Sequence, residues 1–177
     1  MQNREAFPWK SFVRKVAVIA VPVALQNLLT TTGSMVDTMM IAPLGQLSVG
    51  AVGLCAQFST LMFSGYWGFV GGGMLFFSQY YGAKDDDGIN RSYGITLICM
   101  MAVATLFTIA AVFFPHLIMR VYTDKPAIQE IGIQYLRVVG LAYPFQVYSM
   151  AISALLRSTE RVKIPLYGSI VSVATNV

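Results

Sequence analysis

A single carboxylate, Asp37, stands in a stretch that is otherwise uncharged from Val16 to Gly82. It ends a polar series, Gln26, Thr30, Ser34 and Asp37, in which each member follows the last by three or four residues. That spacing places them on one face of a helix. Counted back from Gly45, Asp37 lies about 12 Å inside the apolar segment by helical rise. An ionised carboxylate at such depth costs roughly 2.5–3.5 kcal/mol on insertion scales, so an acid retained there is a functional candidate. The chemistry it suits is reversible capture of a proton or a cation, with its charge and hydrogen bonds to neighbours such as Thr30, Thr31 and Ser34 changing on binding. Gln26, Thr30 and Ser34 are then expected to line a cavity above it. The plainer alternatives are a cap on a helix restarted after Gly33 and Ser34, or hydrogen bonding between helices.

Other chemistries find little support. The chain holds one histidine, His116, which follows Pro115 at a boundary and suits an interface or cap. A hydrolase built on serine or a metal needs imidazoles that this sequence does not supply. Cys55 and Cys99 both fall in apolar segments and have no metal-ligand spacing. Asp85, Asp86 and Asp87 miss the spacing of a calcium loop, and no phosphate-binding glycine loop is present. The three aspartates fit a solvated turn that caps the following helix. The expectation is a protein that is not an enzyme and has no metal site or cofactor.

The elements that must position Asp37 follow from composition. Of 177 residues, 56% are hydrophobic and 11% charged, against about a quarter charged in soluble domains. Apolar segments at 16–43, 49–81, 95–119 and 131–156 each exceed the ~20 residues that cross a bilayer as a helix. A fifth begins near Ile164 and is still running at Val177, so the sequence reads as the first part of a longer polypeptide. Residues 1–15 form a basic tail, expected in the cytoplasm, and 16–177 a partial transmembrane bundle truncated in its fifth helix. Nine of the twelve basic residues sit in that tail and in the second and fourth connections. Two lie in the third connection, and Arg137 lies within a span. By the positive-inside rule this bias places the N-terminus in the cytoplasm. The net charge of +4 is thereby a topology signal, and nucleic acid is not an expected partner.

Two prolines interrupt spans. Pro22 lies in the first third of the first span and Pro144 in the middle of the fourth; each removes a backbone donor and is expected to bend its helix. In the second span Ser64, Gly68 and Gly72 have the spacing that lets two helices approach closely. The fourth span, at roughly 30 residues or 45 Å, overruns the hydrocarbon. Its Glu130, Gln134 and Arg137 are expected to form a solvated or vestibule-lining face.

With these residues in view, the chain resembles the multidrug and toxic compound extrusion (MATE) transporters. "P-x3-Q" in the first span, then "VDTMMIAPLG" and "LSVGAVGL", resemble the family's first helix-loop-helix. "SQYYGAKDDDGINR" and the C-terminal run "YLRVVGLAYPFQVYSMAISALLRSTERVKIPLYGSIVSVATNV" continue the match over nearly the whole chain. The resemblance implies an all-α polytopic membrane protein. This chain would supply the first four transmembrane helices and part of the fifth of a six-helix bundle, and a second bundle of the same polypeptide would complete it. It further implies that Pro22 is the bend of the first helix. Asp37 would be the acid that couples to protons or, in some members, sodium, and Asn176 the fifth-helix asparagine lining the same cavity. In several members a carboxylate follows that asparagine by one turn, beyond the last residue here.

The function implied is secondary active multidrug efflux, antiporting cationic or amphipathic xenobiotics against H+ or Na+ by alternating access. The setting is the lipid bilayer of the plasma membrane. The alternatives are a lipid-linked oligosaccharide flippase of the same superfamily, which basic residues in the cavity would favour, and a structural or regulatory membrane subunit.

Overall fold

The computed structural model describes residues 9–176, with the side chains of Ser11, Lys15, Leu44 and Asn176 outside the description. Among the described residues all regular secondary structure is helical. Four helices are long and apolar enough to cross a membrane, and the protein is an all-α polytopic membrane protein.

The first helix, α1 (Trp9–Ile41), runs through Pro22. It gives way to a 3-10 turn at Ala42–Leu44, where Pro43 ends the regular ladder. Gly45 then takes φ +95°, a left-handed conformation that a Cβ would strain, and the chain reverses into α2 (Gln46–Ala83). At the far end of α2 the left-handed Lys84 returns its amide to the carbonyls of Tyr80 and Tyr81. One residue later Asp85 caps α3 (Asp86–Phe113), its carboxylate accepting from the Gly88 amide at 2.9 Å. The aspartate cluster is therefore a helix start, as its sequence suggests.

The third apolar segment divides. Hydropathy alone carries it to residue 119, but α3 ends at Phe113 and a separate short helix, α4, occupies Pro115–Tyr122. Pro115 cannot donate to α3, and its ring is well placed at the first turn of a new helix. Pro115 and Met119 of α4 are buried, whereas Phe113, Leu117 and Val121 are exposed. His116 is an exposed residue of α4. The fourth long segment becomes α5 (Pro126–Ser158), again with proline in its first turn and with Pro144 inside it. The exposed Glu130, Gln134 and Arg137 lie in its N-terminal half. The chain continues into α6 (Lys163–Asn176).

Helices α2, α3 and α5 pack on one another to form the core. On α2, Ala51, Cys55, Phe58, Met62, Tyr66 and Val70 are buried at three- and four-residue intervals, a continuous helical stripe. All but Ala51 join Met100, Ala104 and Ala111 of α3 and Leu136, Tyr143 and Val147 of α5 in one core cluster. The hydroxyls of Ser59 and Tyr143 satisfy each other at 2.9 Å within this core. Two glycines allow close approaches between these helices. A Cβ on Gly140 would lie 2.7 Å from that of Ala111, and one on Gly73 would lie 2.8 Å from Thr96. The small-residue series at Gly68 and Gly72 works differently from expectation. A Cβ there would meet nothing within 4 Å, because the face of α2 that closes on α3 is the one carrying Gly73.

Helix α1 stands apart from this core. It packs along α6 and touches α2 only near their connecting turn, while its backbone stays clear of α5 among the described residues. The space left between α1, α6 and α5 is where the site lies.

Candidate functional site

A groove of ≈ 730 Å³ runs between α1, α5 and α6. Its α1 wall is the polar series: Gln26, Thr30, Gly33, Ser34 and Asp37 all line it. The spacing of four, four and three residues holds these side chains in one file, so an uninterrupted helix suffices to aim them into a common space. Opposite stand Tyr148, Ser149, Ile152, Ser153 and Leu156 of α5. Pro165, Gly168, Ser169 and Ser172 of α6 form the third wall. Gly33 is where α6 closes on α1; a Cβ there would lie 3.6 Å from Val173.

The groove combines apolar surface with hydroxyl groups and a single charged side chain. Thr30 donates to the Gln26 carbonyl at 2.9 Å and Ser34 to the Thr31 carbonyl at 2.8 Å. Each hydroxyl thus meets its donor requirement on its own helix and keeps lone pairs turned toward a guest. Ser169 does the same on α6, donating to the Pro165 carbonyl at 3.1 Å. Asp37 is the one charged side chain among the lining residues. A site of this composition presents acceptors, apolar surface and one negative charge, which suits reversible binding of a cation or a proton.

Of the residues singled out from sequence, Gln26, Thr30, Ser34 and Asp37 come together on this groove. Pro22 lies in α1 one turn before Gln26, half-buried, and Pro144 lies half-buried in α5 one turn before Tyr148. Neither proline lines the groove itself. Asn176 is in the last turn of α6, one turn beyond Ser172; its side chain lies outside the described residues.

Two features escaped the sequence reading. Ser149 and Ser153 on α5, and Ser169 and Ser172 on α6, are small hydroxyl residues at helical spacing that complete the polar lining. Their intervals of four and three were the available signal. Arg157, by contrast, was counted among loop charges. It sits in the last turn of α5, half-buried, and its Nη2 donates to Gln26 Oε1 at 2.8 Å. A charge near a connection reads as topology in sequence, but this side chain is turned inward.

The MatE family model matches residues 22–177. The chain is also similar to the Probable multidrug resistance protein YoeA of Bacillus subtilis (strain 168). The two are 27% identical over 165 residues, covering 93% of this chain and 36% of that protein. The chain thus spans about a third of the length of this curated relative (36%). With four apolar spans and a family match over most of its length, the chain belongs to the MatE family of membrane transporters.

Proposed function

We propose that this chain forms part of a secondary active multidrug efflux transporter that exchanges cationic or amphipathic xenobiotics for H+ or Na+ by alternating access. The observation that carries the reading is the groove: ≈ 730 Å³ of space whose lining holds Asp37 as its one charged side chain. A carboxylate facing hydroxyls and apolar surface can hold either an organic cation or a coupling ion, and competition between the two gives antiport. A ligand that binds one conformation better than the other shifts the equilibrium by its difference in affinity, which is all that coupling requires. The one charged lining residue is an acid, which favours cationic cargo over the pyrophosphate-bearing cargo of a flippase; Arg157 stands at one end of the groove, bonded to Gln26.

In this reading Asp37 and Asn176 carry ion coupling, Gln26, Thr30 and Ser34 line the path, and Pro22 and Pro144 supply bends. The N-terminus faces the cytoplasm, the membrane is the plasma membrane, and a second bundle of the same polypeptide faces this one. The complete protein, reconstituted in liposomes, should move a cationic dye when a proton or sodium gradient of the correct sign is imposed. Dye movement indifferent to both gradients would remove the antiport reading.

A further inference from the structure

Gln26 is the buried polar side chain among the described residues, 8% exposed, although Leu25, Asn27 and Leu28 on either side of it are exposed. Its amide joins three helices. Oε1 accepts from Arg157 Nη2 of α5 at 2.8 Å, and Nε2 donates to the Pro165 carbonyl of α6 at 3.4 Å. The backbones of α1 and α5 do not pack, so this hydrogen bond is a side-chain bridge across a gap. The gap belongs to the groove, and the bridge crosses it at one end. Gln26, Leu156, Ile164 and Pro165 line that end, whereas Asp37 and Ser172 line the other. From Gln26 to Asp37 is about 16 Å along α1 by helical rise. The guanidinium is also incompletely satisfied, since Arg157 Nε is buried without a hydrogen-bond partner. A buried donor left unmet raises the free energy of the state that contains it, so the closed arrangement is held by one good hydrogen bond and opposed by one missing bond.

We propose that Arg157 and Gln26 form a bolt across the end of the groove opposite Asp37, and that this bolt must open for a solute to pass between α1 and α5. When it opens, Arg157 swings toward water, Nε finds a partner, and the α1 segment just beyond Pro22 is released from α5. When it closes, a positive charge stands at the shut end while the negative charge stands at the other. A cation held near Asp37 is therefore discouraged from leaking past the bolt. The bolt rests on the reading of the groove as a solute path, but access to the groove can be measured without transport, so the two can fail separately.

The test uses the complete protein in open membranes, with Cys99→Ala removing the half-buried thiol and Cys55 left in the core. Ser153→Cys reports the groove one turn from Arg157, and Ser34→Cys reports it nearer Asp37. Labelling by a water-soluble methanethiosulfonate reagent is timed at each position. Loss of a hydrogen bond to a charged group should let Gln26→Leu speed labelling at position 153 by ~10-fold, while labelling at position 34 stays within about twofold. Gln26→Glu, which exchanges a neutral acceptor for an ion pair, should slow labelling at position 153 below wild type. Arg157→Gln should also speed labelling at position 153, by no more than Gln26→Leu, which loses the 3.4 Å bond to the Pro165 carbonyl as well. Combining them should add nothing to Gln26→Leu because the Arg157–Gln26 contact is already gone. Unchanged labelling at 153, equal acceleration at both positions, or faster labelling with Gln26→Glu would each overturn the bolt. Gln26→Glu keeps an acceptor and carries the test if Gln26→Leu does not insert.

Discussion

At the scale of single residues, the groove and the core make different uses of the same hydroxyl groups. Ser59 and Tyr143 bond to each other at 2.9 Å inside the three-helix core, and Ser59 also donates to the Cys55 carbonyl at 3.2 Å. Tyr143→Phe removes one partner and leaves Ser59 with the other. It should destabilise the folded protein by about 1 kcal/mol, read as a lower unfolding midpoint in detergent with gradient-driven transport retained. Thr30 and Ser34 satisfy themselves along α1 and leave their acceptors to the groove. The α1 wall was legible in sequence because hydroxyl, amide and carboxylate side chains there recur at helical spacing in an otherwise apolar run. The serines of α5 and α6 were harder to read, since each is a common small residue whose meaning depends on facing α1. Arg157 was misassigned for a physical reason. Its backbone lies at the end of α5, where charges usually reach water, but a long side chain can turn back to a buried amide.

At the scale of helices, prolines do most of the punctuation. Pro43, Pro115 and Pro126 stand at element starts or turns, whereas Pro22 and Pro144 sit inside helices. Hydropathy joined α3 and α4 into one segment because Phe113, Phe114 and Leu117 keep the sequence apolar across the break. Only the backbone chemistry of Pro115 separates them. Glycines set how closely the core helices meet, as at Gly140 against Ala111. Gly140→Val places branched carbon where 2.7 Å already separates an added Cβ from its neighbour. It should cost about 1–3 kcal/mol by overpacking, seen as loss of monodisperse protein, whereas Gly68→Ala, with nothing within 4 Å of the added carbon, should not. Pro22 leaves the carbonyl of Val18 in α1 without its usual donor, two turns before Gln26. If α1 must change shape during transport, Pro22→Ala should lower the transport rate more than it lowers the amount of folded protein in the membrane. Unimpaired transport by this variant would leave Pro22 as a packing feature.

At the scale of the whole molecule, a compact core of α2, α3 and α5 carries a looser pair, α1 and α6, with the groove between them. Such a division lets one wall of the groove move while the core keeps its packing. The basic residues predict which ends of these helices face the cytoplasm. With Ser48→Cys and Asp86→Cys introduced one at a time, an impermeant thiol reagent added to intact cells should modify only the first. The reverse pattern would invert the topology. Asp37 connects these scales in the proposed mechanism, where a change of charge on one side chain biases the conformation of the whole protein. Asp37→Asn preserves size and polarity but can no longer gain or lose charge. The complete protein carrying Asp37→Asn, reconstituted in liposomes under an imposed ion gradient, should insert and fold as wild type does. Its gradient-driven movement of a cationic dye should be abolished. Dye movement by this variant at the wild-type rate would contradict the account.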